Sequence, residues 1–136
     1  MATEPQRSTV DLLPHRPPFR LVDRLVSCGP ADAVAERRIT HDDPLVEGAL
    51  PGTLLVEALA QTAALMATAE LGEHLGYLVG LRRVTLTGRV VPGDTLRLHA
   101  RRTGTLGALH RVEAEGRVGD VVVVRGELTL TIAPKE

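Results

Sequence analysis

Two residues near the middle of the chain have the types and spacing needed to activate a carbonyl group and move a proton. Glu57 is the only charged residue between positions 48 and 69, where alanine and leucine dominate. Apolar residues recur at helical spacing from Thr53 onward, which predicts one helix of roughly 20 residues. Gly52 stands at the expected start of this helix. Its backbone N–H would lie at the positive end of the helix dipole, where it can polarise a carbonyl oxygen.

The surroundings of Glu57 allow two interpretations. A helix that is apolar on all sides is enclosed, and enclosure disfavours the charged form of a carboxylate, which suits a general acid. Gln61 lies one helical turn further on, where its amide can support the carboxylate. Alternatively, Glu57 lies along a helix edge and points to solvent or to an arginine. Gly52, in turn, can be an ordinary junction between loop and helix.

The helix is predicted to end at Gly72 or Gly76. The rest of the chain predicts strands before and after it. One long helix and a run of antiparallel strands predict an α+β fold in which the sheet wraps the helix. Residues 1–10 are predicted to be a flexible terminus and residues 11–133 a single domain. The predicted strands are 21–27 and 33–40 before the helix, and 77–81, 83–91, 94–103, 108–117 and 121–132 after it.

Composition excludes several classes of function. The 16 basic and 17 acidic residues balance, so no electrostatic case exists for binding nucleic acid or an anionic membrane. The longest apolar run, residues 54–69, is too short to span a bilayer, and the N-terminus lacks a signal peptide, so we expect a cytoplasmic protein. The single cysteine, Cys28, is expected to be buried and inert. The histidines lack metal-ligand spacing, and no metal or other cofactor is expected.

Three motifs, in this order, resemble the bacterial 3-hydroxyacyl-acyl-carrier-protein dehydratases of type II fatty-acid synthesis. Residues 13–24 read LPHRPPFRLVDR, similar to the family's LPHRxPFxxVDR. Residues 57–61 read EALAQ, similar to its central-helix EAxAQ, and residues 90–98 read VVPGDTLRL, similar to its VxPGDxLxL. The resemblance covers residues 11–132, which is nearly the whole chain.

This resemblance implies a hotdog fold, in which a curved antiparallel sheet wraps one helix and two subunits pair their sheets edge to edge. In the family, a loop histidine of one subunit removes the α-proton of a 3-hydroxyacyl thioester. The helix carboxylate of the other subunit protonates the departing hydroxyl, and a glycine N–H binds the thioester oxygen. Glu57 and Gly52 match that carboxylate and that glycine. The implied partner is an acyl carrier protein bearing a 3-hydroxyacyl phosphopantetheine.

The loop before the helix departs from the family pattern. The family has GHFPxxPxxPG there, whereas residues 46–52 read VEGALPG, a shorter segment in which Ala49 replaces the catalytic histidine. In the family, the catalytic histidine lies fourteen residues before the helix carboxylate. The residue fourteen positions before Glu57 is Asp43, which is not an obvious substitute. A loop of this short form is similar to that of the partner dehydratases in aryl-polyene and other highly reducing type II polyketide systems. In those systems, a second hotdog chain can accompany the chain with the short loop. Because acid and base come from different subunits, a chain with only Glu57 can work beside a chain with only histidine.

A base within this chain is the alternative, and His41 is the candidate because it lies nearest to the loop in sequence. Ala49, Leu50, Pro51 and Gln61 are predicted to contact the substrate. The other histidines are expected to have ordinary structural roles: His15, His74, His99 and His110. The outward members of three arginine pairs could steer an acidic carrier protein: 37–38, 82–83 and 101–102.

The sequence therefore predicts a 3-hydroxyacyl-thioester dehydratase, or a subunit of one, that forms a homodimer or a heterodimer with a second hotdog chain. Two other functions stay open. The chain can be a non-catalytic hotdog subunit that binds acyl thioesters or stabilises a partner. It can also be an acyl thioesterase, in which Glu57 would activate water.

Overall fold

The computed structural model describes residues 13, 16, 19–71 and 74–134, with residues 67–71, 74, 75, 133 and 134 as backbone only. The flexible stretch predicted at residues 1–10 lies outside this range. The chain order is two strands, one helix and four strands. Their bounds are β1 Arg24–Cys28, β2 Asp32–Arg38, α1 Gly52–Leu71, β3 His74–Leu86, β4 Thr95–Leu106, β5 Leu109–Val118 and β6 Val121–Pro134.

The six strands form one antiparallel sheet in the order β1-β2-β4-β5-β6-β3. The turns at Gly93, Gly107 and Gly119 have φ values of 102°, 60° and 61°, a region in which glycine is favoured because it has no Cβ. The strands β1 and β3 are the two edges of the sheet. Cys28 ends the edge strand β1 and is exposed, so its expected burial is wrong.

The segment after the helix differs from the sequence prediction, because 77–81 and 83–91 are not two strands. Residues 77–86 belong to one long strand, β3, which ends at Leu86, and residues 87–91 are not part of a strand. The register of the β3 pairing with β6 shifts by an irregularity between Leu78 and Gly80 and by a second one between Arg82 and Thr85. Arg83 has φ 54° within the second shift, which marks a bulge rather than a turn. The apparent break in the pattern is therefore a kink inside one strand.

The helix α1 spans 20 residues, as the apolar periodicity predicts. It follows Pro51, whose carbonyl accepts hydrogen bonds from the N–H groups of Leu54 at 2.9 Å and Leu55 at 3.2 Å. Gly76 does not end the helix but lies in β3, where an added Cβ would come within 3.3 Å of Ile132 and 3.4 Å of the Ala64 Cβ. Gly72 lies outside the described residues. Over the part of the chain that is described, no helix is long and apolar enough to cross a membrane.

The core lies between α1 and the face of the sheet that it covers. Residues of β4 that face α1, Leu96 and Leu98, are fully buried, as are Leu55 and Leu59 of the helix. Each fully buried leucine contributes about 1.5–3 kcal/mol relative to an exposed one. Small residues let the helix approach the sheet closely, and they include Ala33, Ala35, Ala58, Ala63, Ala100 and Ala114.

The other face of the sheet carries ion pairs between neighbouring strands. Glu36 accepts hydrogen bonds from Arg97 and Arg24, both at 2.8 Å. The hydrogen bond from Arg97 lowers the pKa of Glu36, and Arg24 adds to this although partial burial opposes it. Similar pairs recur across this outer face: Glu115 with Arg117 and Arg125, Glu113 with Arg101, and Glu127 with Arg83.

Candidate active site

Gly52 is the first residue of α1, where backbone N–H groups have no acceptor within the helix. Within the described chain, its N–H donates no hydrogen bond. A Cβ at this position would lie 2.8 Å from the Leu86 Cδ1 atom at the end of β3. A larger residue here would have to push the Leu86 side chain aside, and the Gly52 N–H is available to a carbonyl oxygen from outside the chain.

The Glu57 carboxyl lies five residues further along the same helix and is half-buried. The Gln61 Nε2 atom donates a hydrogen bond to Glu57 Oε2 at 3.1 Å, as predicted from their spacing. Gln61 also binds the segment before β1, since its Oε1 atom accepts a hydrogen bond from the Leu21 N–H at 2.7 Å. Its Nε2 donates a second bond to the Phe19 carbonyl at 2.9 Å. Because Gln61 is only 1% exposed, these bonds fix its orientation.

The loop that leads into α1 contains the other predicted substrate contacts. Pro51 is exposed, Ala49 is half-buried, and Leu50 is buried in the core. The Leu50 N–H donates a hydrogen bond to the carbonyl of Val90 at 2.9 Å, which ties this loop to the segment after β3. Of the three, Pro51 and Ala49 therefore present surface next to Gly52.

Asp43, the residue reached by counting back from Glu57, is held in an internal ion pair. Its Oδ2 atom is bonded to the Arg37 guanidinium, and both side chains are less than a tenth exposed. Its Oδ1 accepts from the Leu45 N–H at 2.9 Å, and Arg37 donates another bond to the Arg20 carbonyl at 3.0 Å. Asp43 thus anchors the loop to β2 and does not offer a base to the site.

Neither His41 nor His99 is hydrogen-bonded to Glu57. His41 is exposed in a turn and makes no hydrogen bond or salt bridge to other described residues. His99 pairs with Asp32 at 2.9 Å on the outer face of the sheet. His15 lies outside the described residues, and His74 is described only as backbone. Among the described residues, no cluster of histidine, cysteine or acidic side chains could hold a metal ion.

The edge strand β3 leaves apolar side chains uncovered on the side of the sheet that faces α1. Leu78, Leu81 and Leu86 are 39%, 45% and 49% exposed. Leu78 and Leu81 lie opposite Leu130 and Leu128 of β6, which are both buried. Opposite residues of paired strands share a face, so this edge extends the core outward without a cover of its own.

Comparison with known proteins gives the family. The model of the ApeP-like family, described as ApeP dehydratase, matches residues 7–135. The chain belongs to the ApeP-like dehydratase family. It is 39% identical to the 3-hydroxyacyl-[acyl-carrier-protein] dehydratase FabZ of Anaeromyxobacter sp. (strain K), over 92% of this chain and 88% of that protein. It is 34% identical to FabZ of Clostridioides difficile (strain 630), over 91% of this chain and 94% of that protein.

A solved structure confirms the hotdog fold. The dehydratase heterocomplex ApeI:P from Xenorhabdus doucetiae contains a chain that superposes with a TM-score of 0.82. That chain is 24% identical, and the match covers 93% of this chain and 91% of that one. The predicted arrangement of one helix on a wrapped antiparallel sheet is therefore correct for this ApeP-like dehydratase.

Two contributions to the site of this ApeP-like dehydratase were missed from the sequence. The backbone of Phe19 and Leu21 orients Gln61 from forty residues away or more, and only the resemblance of the LPHR segment singled that stretch out. Leu86 packs on Gly52, and no local pattern indicated that contact.

The arginine pairs also differ from expectation. Arg38 and Arg101 point outward as predicted, and Arg37 is buried against Asp43. Arg82 and Arg83 are both exposed, as are most residues of the edge strand β3.

Proposed function

We propose that this ApeP-like dehydratase acts as a subunit that dehydrates 3-hydroxyacyl thioesters carried on an acyl carrier protein. The observation that carries the proposal is the Gly52 N–H, without an acceptor in the described chain, on the same helix as the Glu57 carboxyl. The N–H suits the thioester oxygen and the carboxyl suits the 3-hydroxyl group. The FabZ relatives, named as 3-hydroxyacyl-[acyl-carrier-protein] dehydratases, support this substrate class.

In the proposed reaction, a base removes a proton from C2 of the thioester. The Gly52 N–H stabilises the negative charge that develops on the thioester oxygen. The C3–O bond then breaks while Glu57 delivers its proton to the departing hydroxyl, so that water and a 2-enoyl thioester form. The base ends with one extra proton and Glu57 with one fewer, and transfer of this proton back to Glu57 resets the site.

Gln61 acts in this proposal as a positioning residue for Glu57. Its Oε1 is occupied by the Leu21 N–H, so its amide nitrogen must face Glu57 Oε2. A carboxyl oxygen that accepts from an N–H is the carbonyl oxygen of the acid form. In the acid form of Glu57 that the proposed reaction uses, we therefore assign the transferable proton to Oε1. Because Gln61 is buried, we assign it this role in place of the predicted substrate contact.

The base comes from a second hotdog chain in this proposal. Neither His41 nor His99 is hydrogen-bonded to Glu57, and the edge strand β3, with its uncovered leucines, can pair with another sheet. The heterocomplex formed by the ApeI:P structural neighbour supports such a pairing. His41 is the alternative, supplied by a second copy of the same chain in a homodimer.

The test is hydration of a crotonyl thioester on a carrier protein. This chain is measured alone and together with a histidine-bearing hotdog chain whose own helix carboxylate is replaced by glutamine. We expect activity only in the mixture, because the base then comes from one chain and Glu57 from the other. Glu57→Gln in the mixture should lower the rate by a factor of about 100 or more, while Glu47→Gln, a change of an exposed acid in the neighbouring loop, should not.

Three results would count against this scheme. Wild-type rates with Glu57→Gln would remove that residue from the mechanism. Activity of the chain alone that His41→Ala abolishes would place the base at His41. Release of free thiol without hydration would indicate a thioesterase.

A further inference from the structure

The loop before α1 and the segment after β3 run side by side and form one rim of the site. Leu86 packs against the Gly52 Cα, with 2.8 Å between its Cδ1 and the position of an added Cβ. Val90 accepts the hydrogen bond from Leu50 at 2.9 Å. At the far end of this rim, the Arg89 Nη2 atom lies 4.0 Å from the position that a Cβ on Gly48 would occupy. The Arg89 guanidinium thus borders the loop that ends in the Gly52 N–H.

The backbone that presents Arg89 is fixed to β6. The Thr87 N–H donates to the Val123 carbonyl at 2.9 Å, and the Thr87 hydroxyl donates to the Val122 carbonyl at 2.8 Å. Gly88 follows, and a Cβ there would come within 2.8 Å of the Val123 Cγ1 atom. The chain is therefore held against the sheet up to the residue before Arg89.

No acidic side chain among the described residues pairs with Arg89. Arg89 is exposed and forms neither a salt bridge nor a hydrogen bond with any residue described. This sets it apart from the arginines of the outer face that pair with Glu36 and Glu115. Gly48 has φ 82°, where a side chain would be strained, so this side of the guanidinium stays open.

We propose that Arg89 binds the phosphate of the phosphopantetheine arm that carries the substrate. This inference rests on the proposed function, which places the thioester oxygen at Gly52. From there the arm must pass over the rim, and residues 48 to 52 span at most about 14 Å even when fully extended. The pantetheine chain, with its two amide units, is long enough to cover such a distance. A guanidinium binds a phosphate group with two parallel hydrogen bonds, which suits an exposed and unpaired arginine.

The test compares three substrates with the same crotonyl group, in the complex with a histidine-bearing chain. Crotonyl carrier protein and crotonyl-CoA contain the phosphate, whereas crotonyl-N-acetylcysteamine lacks it. We expect Arg89→Gln to raise KM about tenfold or more for the first two with kcat unchanged, and to leave KM for the third unaltered. Arg111→Gln is the matched control, since Arg111 is also exposed and unpaired among the described residues but lies on the outer face.

Two outcomes of the kinetics would overturn the assignment. Equal effects on all three substrates, or none, would show that Arg89 does not recognise the phosphate. An effect confined to the carrier protein would place Arg89 against the acidic carrier surface instead.

Calorimetric binding of phosphopantetheine and of pantetheine separates this inference from the proposed function. We expect the wild type to bind the phosphorylated compound more tightly and Arg89→Gln to remove the difference. Equal binding of both compounds by the wild type would refute the phosphate site. Phosphate-dependent binding without any hydration would refute only the proposed function.

Discussion

Replacing Gln61 by methionine tests how the helix carboxyl is oriented. Methionine has nearly the same length and volume as glutamine, so it removes the polar atoms without opening a cavity. The change deletes three hydrogen bonds, to the Leu21 N–H, the Phe19 carbonyl and Glu57. We expect losses both in the free energy of unfolding and in the rate of hydration.

The structure gives the size of both losses. Leu21 is 1% exposed, so its N–H is left without an acceptor, which costs about 1–3 kcal/mol. Phe19 is 61% exposed, so water can replace the amide at its carbonyl. We therefore expect the free energy of unfolding to fall by about 1–3 kcal/mol. A Glu57 carboxyl released from Gln61 is misplaced relative to the 3-hydroxyl, and kcat should fall by about 10- to 100-fold with little change in KM.

Urea unfolding followed by circular dichroism measures the first effect, and hydration of a crotonyl thioester in the mixed complex measures the second. Thr62→Val is the control, because Thr62 is equally buried on α1 but its hydroxyl bonds only to the Ala58 carbonyl in the preceding turn. It should change the free energy of unfolding by less than about 1 kcal/mol and leave the rate unaltered. If Gln61→Met were as stable and as active as the wild type, the arrangement described for Leu21, Gln61 and Glu57 would be wrong.

Three further perturbations follow from the structure. Gly52→Ala keeps the backbone N–H but pushes its Cβ against Leu86; we expect a severalfold loss of hydration rate that Leu86→Ala restores, and failure of that rescue would exclude the steric cause. Arg37→Met leaves the buried carboxylate of Asp43 unpaired and should lower the free energy of unfolding by about 3 kcal/mol or more in urea titrations, with most of it recovered by adding Asp43→Asn. Because arginines hold the pKa of Glu36 below its ordinary value of 4.5, its stabilisation is full above pH 4.5 and is lost as the pH falls through the lower folded-state pKa. Because both arginine partners of this half-buried group are exposed, it should contribute less than about 1 kcal/mol. The free energy of unfolding should differ less between pH 6 and pH 3 in Glu36→Gln than in the wild type, and an unchanged difference would contradict the assignment.

The local pattern was sufficient to predict the helix and most of the strands. Apolar spacing and abundant alanine indicated a helix of the observed length, and glycines at the turns indicated where strands end. The pattern failed at β3, where it suggested two strands. A bulge at Arg83 depends on pairing with β6 across the sheet, and such a pairing is set by residues about forty positions away.

The sequence by itself determined the candidate chemistry of this ApeP-like dehydratase. A single carboxylate in an apolar helix, a glycine at the start of that helix and a glutamine one turn on were visible from residue type and spacing, because helical geometry is a local property. The loop motif also showed that the usual histidine is absent.

Only the tertiary structure decided which distant groups complete and surround these residues. It placed the Leu21 N–H on Gln61, Leu86 on Gly52, Arg37 on Asp43 and Arg89 at the rim of the loop. Apart from the Arg37–Asp43 pair, whose residues are six positions apart, these contacts join segments that are far apart in the chain, and packing of the helix against the sheet brings them together. No periodicity or spacing encodes such contacts, since each depends on the path of the backbone between the two segments.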